Sequence, residues 1–223
     1  MYMSALRASL LKAIESLKAE VVTMADMVLN NINEAFLAFK TNNVKKAASL
    51  IKLDEEVDKL EEDISKSALR LIWKEQPYAH DLRMVTGILK LITDLERIGD
   101  HAADIAEQTL HIGELKNQRL LPKTTMMSES AYQMVLNAIN AFVKQDLALA
   151  QQVIKDDDIV DNQFDDVMKS VTEQIKGETI VSEYAVSVIM VAKYMERIAD
   201  HAVNLAEWTI FIITGEHKST PLF

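Results

Sequence analysis

The sequence predicts an all-α protein of two tandem antiparallel three-helix bundles, six long helices related by an internal repeat. Three observations carry that expectation. The chain has 223 residues, 49% of them hydrophobic, with only 5 glycines and 3 prolines, so it has few places to bend. Apolar residues recur at helical spacing through long stretches without breakers. A twelve-residue segment, Glu96 to Glu107, returns at Glu196 to Glu207 with eight positions identical.

Helix one is expected from about Ser4 to Lys40, ended by Thr41-Asn42-Asn43, and helix two from there to the Gln76-Pro77 stop. Helix three runs from about Tyr78 to Leu115. The polar stretch that follows, with Pro122, reads as a linker over 117–122 between a first unit, 1–116, and a second, 123–217. Helices four, five and six are expected over about Thr125 to Lys144, Asp146 to Lys176 and Ser182 to Thr214, the last two terminated by Gly177 and Gly215. Leu50, Leu53, Val57, Leu60, Ile64 and Leu71 form a seam on helix two, and Ile88, Leu91, Leu95, Ile98, Ala102 and Ile105 form one on helix three. Short connections make neighbouring helices antiparallel.

The repeat extends backwards from the twelve-residue segment. Asp54-Glu55-Glu56-Val57-Asp58 matches Asp157-Asp158-Ile159-Val160-Asp161, and Met27 to Asn30 matches Met134 to Asn137. The offset between these last two pairs of matches grows by four residues, about one helical turn, which makes the first half's opening helix the longer one.

What the repeat keeps is charge. Glu96, Arg97, Asp100 and His101 reappear as Glu196, Arg197, Asp200 and His201, whereas a duplicated core would need to keep only apolar character. Acids four apart project from one helix face, where a single cation can bind both. At about 100° per residue, Glu96, Asp100 and Glu107 fall roughly opposite the helix-three seam with Asp104 beside them, and Asp54, Asp58 and Glu61 line one flank of helix two. The counterpart of that flank is Asp157, Asp161 and Phe164. Gly99, Ala102, Ala103 and Ala106 allow a neighbouring backbone to come close enough for two strips to share an ion. Oxygen-only ligands favour Mg²⁺, Mn²⁺ or iron over softer-ligand metals. A single acidic strip is most simply a solvated helix face, since a like-charged pair at this spacing costs only about 0.2–0.5 kcal/mol; four strips in two matched sets favour a site.

His101 and His201 point about 100° away from the neighbouring aspartates, which favours a packing or supporting role over ligation. Arg97 and Arg197 read as ion-pair partners for the acids. The apolar run Trp208 to Ile213 is core or an interface with a subunit or a membrane protein. A net charge of −10, without clusters of Lys and Arg, argues against a nucleic-acid partner, and the absence of cysteine excludes disulfides and thiolate metal sites. No signal peptide and no apolar run of about 18 residues is present, so the expectation is a cytoplasmic protein without membrane insertion. Neither a Gly-rich phosphate loop nor a Glu-x-x-His pattern occurs, and no enzyme activity is expected.

The doubled Glu-Arg-Ile-(Gly/Ala)-Asp-His-Ala segments, the strips opening with Asp54 and Asp157, the run Pro77 to Arg83 and the ending Trp208 to Glu216 resemble the PhoU family of phosphate-signalling proteins over nearly the whole chain. That resemblance implies multinuclear metal sites and a cytoplasmic, non-enzymatic negative regulator of phosphate uptake and of the phosphate-starvation response. The implied partners are the ATPase of a phosphate ABC transporter and a phosphate sensor histidine kinase, and a homodimer is expected. Matched by position, the metal candidates are Asp54, Asp58, Glu96, Asp100 and Asp104, then Asp157, Asp161, Glu196, Asp200 and Asn204. Asn204 stands where the first half has Asp104, and Ala199 where it has Gly99, so the two sites are not expected to be equal. A metal-dependent hydrolytic or redox centre and a metal-free structural adaptor are the alternative readings.

Overall fold

The breakers read from the sequence do end the helices. The computed structural model describes residues 2–112, 121–218 and 220–221. Its helices are α1 (Tyr2–Thr41), α2 (Val44–Glu75), α3 (His80–Ile112), α4 (Leu121–Lys144), α5 (Leu147–Lys176) and α6 (Ser182–Thr214). Asn43 caps α2 by accepting from the Lys46 amide, and Asp146 caps α5 by accepting from the Leu149 amide. Gln76 closes α2 in the left-handed region at φ 46°, a conformation that glycine adopts more readily, and Gly215 does the same for α6 at φ 88°. α1, with 40 residues, is longer than α4, with 24, by more than the single turn that the repeat offset indicated.

The start of α4 differs from expectation. α4 starts at Leu121 rather than near Thr125, so Leu121 and Pro122 are helical; a proline in the first turn gives up no intrahelical bond. The rest of the expected linker, 117–120, and the expected end of helix three at Leu115 lie outside the described residues. After α6 a two-residue antiparallel pairing follows, β1 (Glu216–His217) with β2 (Thr220–Pro221), which is too short to leave a periodic signal.

Helices α1 to α3 form one three-helix bundle and α4 to α6 the other, with α3 packed along α6 and α1 touching α4. The expected seams are inside: Leu50, Val57, Ile64 and Leu71 of α2 are buried, and Leu53 and Leu60 are partly covered. On α3 the buried surface is broader than one seam, because Met84, Val85, Gly87, Ile92 and Gly99 are buried too. Arg7 of α1 pairs with Asp81 in the first turn of α3. Within Trp208 to Ile213, Thr209, Phe211 and Ile212 are buried, and Trp208 stacks on His217 at 4.0 Å, so the run is mostly core. Among the described residues no helix is long and apolar enough to cross a membrane.

The α3–α6 pairing is antiparallel. Arg83, near the start of α3, reaches the Ile212 carbonyl near the end of α6. The backbones approach so closely that a Cβ on Gly87 would lie 2.4 Å from Ile212 Cγ1 and 2.6 Å from its Cδ1. Overpacking of this kind costs about 1–3 kcal/mol, against about 1 kcal/mol of helix propensity gained by replacing glycine. Gly87→Ala therefore lowers the urea midpoint of unfolding; an unchanged or higher midpoint would show that this approach is not tight.

Candidate metal centre

In the first half, α2 brings Asp54 and Asp58 to the face of α3 that carries Glu96 and Asp100. Gly99 lies close beneath them: a Cβ there would sit 3.2 Å from Val57 Cγ1 and 3.3 Å from Asp54 Oδ1. Asp54, Asp58 and Asp100 each offer an oxygen within 4.8 Å of the others. Oxygens on opposite sides of one cation with bonds of about 2.0–2.6 Å are separated by a similar span. Asp54 Oδ1 is buried and has no hydrogen-bond partner, an orphaned acceptor that a cation would satisfy. The donor set and this orphan oxygen fit a hard or intermediate divalent cation.

Electrostatics register the crowding. Burial, reinforced by Asp100, Asp58, Glu96 and Asp104, pushes the Asp54 carboxyl up to about 6. Glu96 is raised by burial and then by Asp100, with Arg97 opposing. Arg97 donates to Asp100 at 2.8 Å and lies 3.4 Å from Glu96, the ion-pair role expected of it. Glu96, Asp100 and Asp104 are nevertheless not opposite the buried seam. They sit partly covered at its margin, because α3 packs against α1, α2 and α6 and its buried surface is correspondingly wide. Glu107 is exposed, as expected.

The second half gathers the equivalent acids. Burial, then Asp161, Asp200, Asp158 and Glu196, push Asp157 up to about 6. Asp200 is raised by burial and Glu196, while Lys193 lowers it. The detail differs: among other changes, Ala199 replaces Gly99, Phe164 replaces Glu61, Lys193 replaces Thr93 and Asn204 replaces Asp104. Asn204 donates its side-chain amide to Asp94 Oδ1 of α3 at 3.1 Å. Among the described residues the close carboxylate triad is found in the first half only.

The PhoU domain family matches this chain twice, over residues 21–109 and 124–209, one match to each half. The chain belongs to the PhoU family. The phosphate-specific transport system accessory protein PhoU homolog of Aquifex aeolicus is 37% identical over 207 residues, 93% of this chain and 94% of that protein. PhoU homolog 1 of Thermotoga maritima is 35% identical over 202 residues, 90% of this chain and 87% of that protein. The crystal structure of PhoU from Pseudomonas aeruginosa has a TM-score of 0.86 at 27% identity, covering 92% of this chain and 99% of that one.

In this PhoU-family chain the two motif histidines meet where α3 crosses α6, with ring centroids 5.7 Å apart. His101 Nδ1 lies 3.1 Å from Asp104 Oδ2 on its own helix, and His201 Nδ1 lies 2.8 Å from Asp94 Oδ1 on the other half. Burial lowers the His101 pKa, partly opposed by Asp104. Both rings lie at the junction of the two halves. Asp94 was not singled out in the sequence, although one signal was available: the repeat places Tyr194 there, and Tyr194 stacks on His101 at 5.7 Å.

A pH dependence follows. Asp54 and Asp157, at about 6, lie above the 3.8 of a free aspartate, so between those values the folded chain binds more protons than the unfolded one. Their contribution to stability is fully present below about 4 and is lost as pH rises through 6. His101 works in the opposite sense, so the comparison is made against a variant. In chelator, the Asp54→Asn/Asp157→Asn protein should gain stability relative to the unmodified chain as pH is raised from about 4 to 7.5. Urea unfolding at several pH values measures this; parallel profiles would refute the crowding of the two acids.

Proposed function

We propose that this chain is a cytoplasmic, metal-binding negative regulator of phosphate uptake and of the phosphate-starvation response. PhoU-family proteins are regulatory, and the chain is not an enzyme. The observation that carries the metal reading is the buried, unpartnered Asp54 oxygen among Asp58 and Asp100; around Asp157 the support is the gathering of the equivalent acids, which raises its pKa. Asp54, Asp58, Glu96, Asp100 and Asp104 would hold the ions of the first half, and Asp157, Asp161, Glu196 and Asp200 those of the second, with Asn204 at its edge. Bound iron, Mn²⁺ or Mg²⁺ would neutralise acids that otherwise repel one another across helices and so fasten α2 to α3 and α5 to α6. The printed names of the Aquifex and Thermotoga relatives, accessory proteins of a phosphate-specific transport system, support a phosphate transporter as partner. The ATPase of that ABC transporter and a phosphate sensor histidine kinase are the proposed contacts, with a homodimer as the proposed assembly. Residues 1–116 and 123–217 are proposed as the two repeat units.

Two outcomes are expected. Metal raises the melting temperature of the unmodified protein, since binding stabilises the folded state by about 2.7 kcal/mol at a hundredfold excess over the dissociation constant. Asp100→Ala/Asp200→Ala should keep its helical content without metal, within about 0.5 kcal/mol per site, and lose most of that gain. Thermal unfolding of chelated and loaded protein, with bound-metal content, checks both; a variant that keeps its metal refutes the assignment. In cells, deletion should switch on phosphate-scavenging genes at plentiful phosphate, measured by transcript level, and normal repression without a duplicate gene would refute the regulatory role.

A further inference from the structure

Lys193 lies on α6 one turn before the repeated motif and turns into the second acidic cluster. Its ammonium pairs with Glu196 and sits 5.5 Å from the centroid of the Phe164 ring. Phe164 occupies the place that Glu61 holds in the first half, and Lys193 the place of Thr93, which only bonds back to the Leu89 carbonyl. Thus two positions that bear a carboxylate and a neutral hydroxyl in one half bear an aromatic face and a cation in the other. An ammonium over a ring gains from the ring's negative face, so Phe164 holds the cation where its acids are. Asn204 instead of Asp104 removes a further negative charge, and its amide is already bonded to Asp94. Arg97 pairs with acids in the first half, yet Asp54 Oδ1 there remains without a partner.

We propose that Lys193 is a tethered counter-cation of the second cluster, and that the two clusters therefore load divalent metal in order, the first half before the second. The proposal rests on the metal-binding reading above. A metal entering the second cluster must displace the ammonium from Glu196. A partly exposed ion pair together with the contact to the ring contributes about 1–2 kcal/mol, so the second cluster should bind about five- to thirtyfold more weakly than it would without Lys193. The second half would then respond to metal at concentrations where the first is already full.

Mn²⁺ titration of the full chain by isothermal calorimetry, with free Mn²⁺ followed by electron paramagnetic resonance, tests this. The unmodified protein should show a tight and a weak class of sites, with Asp100→Ala removing the tight class and Asp200→Ala the weak one. Lys193→Thr, which installs the first half's residue, should tighten the weak class and leave the tight class unchanged, whereas Lys193→Arg should keep it weak. Lys169→Thr removes the same charge from an exposed ion pair with Asp166 on α5 and controls for a general field effect. Circular dichroism in chelator establishes that each variant is folded. Equal affinities in the unmodified chain, a Lys193→Thr profile that does not move, or an equal response to Lys169→Thr would overturn the role of Lys193. No Mn²⁺ binding in any protein would instead overturn the metal reading on which it rests.

Discussion

The rest of the structure depends on the close antiparallel approach of α3 and α6. Gly87 lets the Ile212 side chain lie against the α3 backbone, and that contact sets how far apart the two bundles can be. Once the two axes are fixed, the motif histidines must face each other and Asp94 must reach His201 and Asn204. The same helices carry the acids, so packing also decides where charge is concentrated. An apolar core of this kind is close-packed and transmits displacement rather than absorbing it.

Carboxylates are held near one another here by forces that have nothing to do with them. Burial of Val57 against the α3 backbone at Gly99 brings α2 and α3 together, and Asp54, Asp58 and Asp100 come along at the margin. Partial burial between the helices, and after it the charge of the neighbouring acids, pushes Asp54 and Asp157 up to about 6. Like-charge neighbours on a single exposed helix would cost only about 0.2–0.5 kcal/mol per pair, so most of the effect comes from partial burial between helices.

Much of the fold was legible in the sequence because breakers are scarce and each has a local physical meaning. Gly215 and Gln76 end helices through left-handed backbone, and Asn43 and Asp146 begin them through side-chain caps, all within one or two residues of the expected places. Pro122 was read as linker because proline marks both loops and first turns, and sequence alone does not separate those uses. The acid pairs were legible through their repetition. Their half-burial was not, since a one-seam reading treats α3 as packed on one side while it packs on three helices. Asp94 and Lys193 escaped for a related reason. The Asp94 partners, His201 and Asn204, lie 107 and 110 residues away, and the ring beneath Lys193 belongs to another helix, so neither contact follows from helical spacing.

The pseudo-twofold relation between α3 and α6 places corresponding residues of the two halves on opposite sides of one contact. Were the halves separate identical chains, that contact would be isologous, and every residue in it would have to serve both sides at once. A glycine at position 87 would come with a second glycine, and an aspartate at 94 with a second aspartate. Covalent joining lifts that requirement. Gly87 faces a partner half that has Ser187, and Asp94 one that has Tyr194, so each side of the contact is free to specialise. A tandem chain can thus hold two unlike ligand environments across a single interface, which no symmetric pair of one-repeat subunits could do.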